Sequence, residues 1–234
     1  MLDAERVIAP STDTARRIQA FFPNAHVIVA PHLDRPVMDR PFRPPPLRAD
    51  EPIQIALLGT LAPHKGYRVV LETARSVRLH GLPLRFALIG SSGGGHTVDR
   101  ALAQEGVKLT GHYHDSDLPA LLQASASHLI WYAAQCPETY SYTLTVGLSS
   151  EFCLVVPDLG AFPERVQGRP WSWVSRWNGT PSEWIALFLS IREQLVAAQL
   201  TKSIREQHVD SRPESKIVAS DFYRLSYLAW KSGH

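Results

Sequence analysis

Short, nearly continuous apolar runs, each followed by an amphipathic stretch, set the tightest limit on how this chain folds. Ile53-Gln54-Ile55-Ala56-Leu57-Leu58 ends at Gly59, as a buried parallel strand does. Val69, Val70, Thr73, Ala74 and Val77 then recur at helical spacing, and Gly81 supplies a stop. Leu84 to Ile89 reads as a second strand closed by Gly90. A weaker helix is expected from about Val98 to Glu105 and a short strand over Val107–Leu109. Asp115, Ser116 or Asp117 can cap a helix carrying Leu118, Leu121 and Leu122. His128 to Tyr132 reads as a strand, Tyr142 to Ser150 as a helix, and Leu154 to Val156 as a strand. Such alternation with short connectors predicts an α/β fold: a Rossmann-like parallel sheet with helices on both faces and a helical C-terminus.

Two segments fall outside this rhythm. Residues 35–52 hold Pro36, Pro41, Pro44, Pro45, Pro46 and Pro52 among Arg35, Arg40, Arg43 and Arg48. Closely spaced prolines exclude regular elements, so this stretch is expected to be a linker or exposed loop. Its arginines read most simply as solvated charges, with contact at a membrane surface as the alternative. Before it, Val7-Ile8-Ala9, a helix near Thr12–Phe22 and Val27 to Ala30 form a small β-α-β piece that must pack on something larger. At the other end, Trp184, Ile185, Leu187, Phe188, Ile191 and Leu195 mark a helix opened by Pro181, and a last helix is expected from about Glu214 to Trp230.

Composition excludes several classes of function. Across 234 residues, 24 Lys and Arg against 22 Asp and Glu leave a net charge of +2, which argues against a nucleic-acid binder. No apolar run reaches the roughly 20 residues of a membrane helix. Two cysteines, Cys136 and Cys153, make no disulfide framework, so a reducing compartment is expected. Neither has a histidine partner at a recognised nucleophile spacing. His112 and His114 lack the further ligands a zinc site needs, and no metal is expected.

In open parallel sheets, ligands bind outside the carboxyl ends of the strands. Three post-strand segments are therefore informative. Gly59-Thr60-Leu61-Ala62-Pro63-His64-Lys65-Gly66 brings a glycine and an ammonium to a helix start, which suits a phosphate; a plain turn with a solvated lysine is the alternative. Gly90-Ser91-Ser92-Gly93-Gly94-Gly95 fails the dinucleotide spacing and reads as a flexible surface loop. That failure also disfavours a nicotinamide-dependent dehydrogenase. Cys136-Pro137-Glu138-Thr139-Tyr140-Ser141-Tyr142-Thr143 places a carboxylate among hydroxyls before a helix, where it can accept from sugar hydroxyls or simply cap the helix. Trp171, Trp173 and Trp177 suggest a stacking wall for sugar or, more simply, packing.

Taken in order, Gly59-x-Leu61-x-x-x-Lys65-Gly66, then Pro137-Glu138-Thr139-Tyr140-Ser141-Tyr142-Thr143-Leu144-Thr145, then Val155 to Glu164 (Val-Val-Pro-Asp-Leu-Gly-Ala-Phe-Pro-Glu) resemble the donor-binding half of GT-B glycosyltransferases. The pattern is most similar to the retaining family-4 enzymes, which move sugars from nucleotide-sugars without a metal. The resemblance implies four parts: residues 1–34 as the end of an N-terminal domain and the crossing between domains, 35–52 as a loop, 53–212 as the nucleotide-sugar domain, and 213–234 as a helix returning across the cleft. The rest of an acceptor-binding domain is expected to be missing. By the same resemblance, Gly59 and Lys65 hold the donor diphosphate, with Thr60 beside them. Glu138 contacts the donor sugar, Tyr140, Ser141, Tyr142 and Thr143 present amides to sugar and phosphates, and Gly111, His112 and Tyr113 lie by the base. Lys65 and Glu138 are the expected catalytic pair. No cofactor is tightly bound; a UDP-, GDP- or ADP-sugar is the substrate. The acceptor is a glycan or lipid-linked glycan of a cell-surface polysaccharide or glycolipid, and the location is cytoplasmic, at the inner face of the membrane.

Two positions and one segment depart from the family pattern. Val146 stands where a second acid usually holds the ribose, Thr60 replaces a common arginine, and Ser150-Glu151-Phe152-Cys153 replaces a small-Gly-x-Pro turn. They motivate the alternative of a non-catalytic GT-B-like interaction or regulatory module.

Overall fold

A computed structural model describes residues 6–32 and 42–206, with backbone alone for 202–206. The expectations for 33–41 and for the last helix lie outside the described residues. The N-terminal piece is β1 (Val7–Ala9), α1 (Thr12–Phe21) and β2 (Val27–Val29), its strands parallel and in direct register. Ser11 caps α1 by accepting the Thr14 amide at 3.2 Å, satisfying one of the donors a helix start leaves open.

The main body follows as β3 (Ile53–Leu58), a 3-10 turn (Pro63–Lys65), α2 (Tyr67–Leu79), β4 (Leu84–Ile89), α3 (His96–Gln104) and β5 (Val107–Leu109). After these come α4 (Leu118–Ala124), β6 (Leu129–Trp131), α5 (Tyr142–Leu148), β7 (Cys153–Pro157), α6 (Phe162–Val166), β8 (Ser172–Ser175) and α7 (Pro181–Glu206). Six strands form one parallel sheet in the order β5-β4-β3-β6-β7-β8. Helices cover both faces, as expected from the alternation of apolar runs.

Strand side chains alternate between faces, and the core divides accordingly. Ile53, Ile55 and Leu57 join Phe86, Trp131 and Val155 against Val70 and Ala74 of α2 and Trp184, Phe188 and Ile191 of α7. Ala56, Ile130, Tyr132, Leu154 and Val156 face Leu118 and Leu122 of α4, Leu144 of α5 and Phe162 of α6. Trp131, Trp184 and Phe188 lie with ring centroids 5.0–6.2 Å apart and are fully buried, each contributing about 1.5–3 kcal/mol by burial alone. Helix α2 ends as its sequence suggests: Leu82 N–H donates to Val77 and Gly81 N–H to Arg78, with Gly81 left-handed.

Several expectations are corrected. No side chain of Asp115–Asp117 caps α4; these residues form a 3-10 turn that leads straight into it. Helix α3 starts at His96, two residues before the expected Val98. Ser91 and Ser92 are buried, and the Ser92 amide donates to Asp99 at 2.8 Å, so the glycine-rich segment is anchored at its first half rather than a free surface loop. Residues 42–52 contain no helix or strand, but Leu47 is buried in the core, and Arg192 of α7 donates to the carbonyls of Ala49 and Glu51. The described part of the proline-rich stretch is therefore packed against the body. Helix α6 and strand β8 were not expected.

Candidate functional site

Chain connections leave β3 toward β4 on one side and β6 toward β7 on the other. The carboxyl ends of β3 and β6 therefore flank a crevice where the sheet order reverses. Thr60, Leu61 and Lys65 line it from the β3 side. Tyr132, Ala133, Ala134 and Glu138 line it from the β6 side, with Thr143 of α5 and Phe162 of α6 closing it.

Lys65 ends the 3-10 turn that Pro63 opens. Gly66 follows at φ 93°, and a Cβ there would overlap the carbonyl oxygen of Ala133 at the end of β6. Only glycine lets the turn press this close to the neighbouring strand end. Gln135 N–H donates to the His64 carbonyl at 2.8 Å, a second tie across the crevice. These backbone contacts deliver the Lys65 ammonium to the Glu138 carboxylate, Nζ to Oε1 2.8 Å. The capping alternative for Glu138 is thereby overturned: the residue ahead of α5 is Ser141, and Glu138 binds Lys65 instead. Lys65 is not a merely solvated lysine either.

Glu138 is held from behind. Ala161 N–H donates to its carbonyl at 2.9 Å, and Gly160, at φ 61°, sits where a Cβ would lie 2.6 Å from both the Glu138 nitrogen and oxygen. Further along, Arg165 donates to the carbonyls of Tyr140 (2.7 Å) and Ser141 (2.8 Å) and to Thr145 Oγ1 (2.9 Å). Its guanidinium also lies 3.7 Å above the Tyr140 ring. This grip maintains Ser141 at φ 68°, a left-handed conformation that costs a non-glycine residue on the order of 1–2 kcal/mol. Tyr132 completes the frame by donating its hydroxyl to the Thr143 carbonyl at 2.9 Å, and burial drives its phenol far above the usual tyrosine range.

The remaining residues singled out in the sequence are distributed as follows. Gly59 (φ 83°) faces Thr143, where an added Cβ would meet Cγ2 at 3.4 Å. Gly111 joins the same rim through Gly90: Gly111 N–H donates to the Gly90 carbonyl and Gly90 N–H to Thr110 Oγ1. His112 is exposed, while Tyr113 packs against the α4–α5 side of the core and does not line the crevice. Tyr140 is buried, its hydroxyl donating to the His32 carbonyl at 3.2 Å, so its side chain serves the N-terminal piece rather than the crevice. Tyr142 is exposed and stacks on His32. Val146 packs against the same apolar cluster as Leu58 and Tyr113. Trp171 and Trp173 pack at the β8 edge, ring centroids 5.9 Å apart, and Trp177 remains partly exposed beside Gln135.

The crevice itself measures about 30 Å³. A larger cavity of about 650 Å³ lies instead between the N-terminal piece and the α5–α6 side. Its wall includes Arg169, which donates to the carbonyls of Ser150 and Phe152, each at 2.9 Å, and lies over the Phe42 ring. Arg169 ties the α5–β7 connection in place. Sequence reasoning missed Arg165, Arg169, Gln135 and the support role of Gly160, because each acts on backbone atoms that leave no side-chain motif.

No protein-family model matches the chain, and no curated protein matches it. Solved structures do. TarM aligns with TM-score 0.63 and 12% identity over 86% of this chain and 39% of its own. HepE from Anabaena, in complex with UDP, aligns with TM-score 0.60 and 17% identity over 88% and 60%. The lipopolysaccharide outer core galactosyltransferase WaaB aligns with TM-score 0.60 and 14% identity over 87% and 62%. These neighbours are GT-B glycosyltransferases, and at such identities the likeness establishes the fold: the Rossmann-like architecture of that class. The chain spans between 39% and 62% of their lengths. Among the described residues, no helix is long and apolar enough to cross a membrane.

Proposed function

We propose that this chain is the donor-binding, C-terminal half of a retaining, metal-independent glycosyltransferase of the family-4 kind. It moves a sugar from a UDP-, GDP- or ADP-sugar to a glycan or lipid-linked acceptor of a cell-surface polysaccharide or glycolipid, in the cytoplasm and at the inner face of the membrane. The observation that carries this reading is the meeting of Lys65 and Glu138, 73 positions apart in the chain, at 2.8 Å in the crevice where the sheet order reverses. Supporting it, neighbours of the same fold were solved with UDP-glucose, as for HepE, or with UDP and alpha-GlcNAc-glycerol, as for a TarM variant from S. aureus.

The chemistry follows from the charges. The bond between the anomeric carbon and the diphosphate breaks, and its electron pair leaves with the nucleoside diphosphate. Lys65 stabilises the charge that grows on that leaving group, and the Glu138 carboxylate accepts hydrogen bonds from the sugar hydroxyls to orient the ring. The acceptor oxygen bonds to the anomeric carbon, and its proton passes to the departing diphosphate oxygen. Donor sites are usually several hundred Å³, so entry requires the Lys65–Glu138 pair to part. Calorimetric titration with UDP-, GDP- and ADP-sugars tests the reading: saturable binding by wild type, weakened at least about tenfold in Lys65→Ala, is expected, and no heat at millimolar donor would overturn it.

One observation favours a second reading, a non-catalytic GT-B-like module. Position 146 is valine and packs with Leu58 and Tyr113, leaving no acid there for a ribose. Sugar transfer unchanged by Lys65→Ala and Glu138→Ala in a complete two-domain protein would select it.

A further inference from the structure

The segment Pro137–Tyr142 is gripped from two sides, and one of them is the small N-terminal β1–α1–β2 unit. The Tyr140 hydroxyl donates to the His32 carbonyl at 3.2 Å. The His32 ring lies edge-on to Tyr140, with centroids 4.7 Å apart, and stacks on Tyr142 at 5.7 Å with an interplanar angle of 17°. Thr14 of α1 donates to the Thr139 carbonyl at 3.4 Å. Both oxygens of Glu164 accept the Thr12 amide at 3.0 Å, so the carboxylate sits on the N-terminus of α1. Glu164 is next to Arg165, which holds the carbonyls of Tyr140 and Ser141, and follows Gly160 and Ala161, which abut Glu138.

We propose that the N-terminal unit positions Glu138, with His32 and Glu164 as the positioning residues. Docking of that unit through α6 and the Tyr140–Tyr142 rings fixes the backbone from which Glu138 reaches the crevice. Loss of docking therefore loosens residues 137–142 while the sheet stays intact. The turn bearing Lys65 is held by other contacts, those of Gly66 with Ala133 and of Gln135 with His64, which end before residue 137, so the turn does not depend on the docking. The sugar-specific part of the inference rests on the donor-binding reading; the positioning part does not.

Hydrogen exchange of the full chain decides it. In His32→Ala and Glu164→Gln, amides of 137–142 are expected to exchange at least about tenfold faster, with those of 53–58 unchanged. His32→Phe, which keeps the ring on Tyr142, is expected to restore wild-type exchange. Tyr140→Phe, a milder change that removes the hydroxyl alone, is expected to give an intermediate acceleration. Unchanged exchange in 137–142, or equal acceleration throughout the sheet, would overturn the proposal. Titration of the same variants with UDP and UDP-glucose adds a split: a larger loss for UDP-glucose than for UDP is expected, and equal weakening of both counts against positioning of Glu138. If wild type binds neither nucleotide, the donor reading fails for UDP, and the exchange result still settles the positioning role.

Discussion

Lys65 Nζ lies 2.8 Å from Glu138 Oε1, bridging the turn after β3 and the loop after β6. The lysine side chain is 40% exposed and the glutamate 13%. At that exposure on one side, the pair contributes little to folding, within the 0–1 kcal/mol of partly solvated pairs. Under the proposed donor-binding reading, the pair matters for binding rather than for folding. Lys65→Ala is expected to leave the unfolding midpoint within about 1 kcal/mol of wild type while weakening nucleotide binding about tenfold to a hundredfold, the scale of one charge-assisted hydrogen bond. Glu138→Gln removes the carboxylate that competes with phosphate for the ammonium. UDP alone is then expected to bind as tightly as in wild type or tighter, and calorimetry with UDP against each variant checks both outcomes.

The support behind Glu138 gives a stability contrast. Gly160 and Gly81 are both left-handed, at φ 61° and 60°, but a Cβ at Gly160 meets the Glu138 backbone at 2.6 Å whereas one at Gly81 meets nothing within 4 Å. Gly81→Ala carries the conformational cost alone, about 1–2 kcal/mol. Gly160→Ala adds a backbone collision and is expected to cost at least about 1 kcal/mol more. Urea unfolding of the two variants measures the difference, and equal losses would show that the Gly160 contact is slack.

How much of this was readable beforehand depends on what kind of atom does the work. Strands β3 and β4 are legible residue for residue, because a strand inside a parallel sheet covered on both faces must be largely apolar and must stop where the turn begins, and the short edge strand β5 is legible from Val107 and Leu109 on either side of Lys108. Strand β8 was not: Ser172-Trp173-Val174-Ser175 is an edge strand with small polar ends, too short for a two-residue period to show. Helix α6 is five residues long, with Pro163 in its first turn, too short for a helical period to show. Within the crevice, Lys65 and Glu138 announce themselves as charged residues at strand ends. Gln135, Gly160 and Arg165 do not, since they act on carbonyls and amides that every residue possesses.

Histidine 128 gives the fold a pH dependence. Its Nδ1 accepts the Gln54 amide at 3.0 Å, which requires a neutral ring, and burial pushes the imidazole below its ordinary value against the opposing charge of Glu51 and a backbone bond to Pro46. With the folded value depressed, the unfolded chain takes up the proton first as pH falls through about 6.5. Stability contributed by neutral His128 is therefore present above that pH and lost as pH falls toward the folded value. Urea unfolding at pH 7.5 and 5.5 is expected to show a larger drop for wild type than for His128→Asn. A matching drop in both would assign the effect to the other histidines.

The two cysteines should separate by reactivity. Cys153 lies buried in β7, and burial pushes its thiol up to about 12, whereas Cys136 is partly exposed in the loop before Glu138. Only the thiolate attacks an alkylating reagent. Iodoacetamide at pH 8 is expected to label Cys136 in the native chain and Cys153 only after denaturation, as read by peptide mass spectrometry. Native labelling of Cys153 would mean that β7 opens far more readily than a central strand flanked by β6 and β8 ought to.

Arg165 makes the sharpest demand on side-chain shape. One terminal nitrogen donates to two carbonyls, the other to Thr145 Oγ1, and the flat guanidinium rests 3.7 Å above the Tyr140 ring. A lysine ammonium can reproduce the charge but cannot hold that fork and lie face-down on the ring at once. Arg165→Lys is therefore expected to recover less than half of the stability lost in Arg165→Ala, itself about 2–4 kcal/mol because two carbonyls and a strained Ser141 lose their restraint. Arg68, which pairs with Glu72 on the exposed face of α2, serves as the reference: Arg68→Ala is expected to leave the urea midpoint unchanged. Full rescue by lysine at 165 would reduce its role to charge alone, and with it the geometric account of how the start of α5 is set against the crevice.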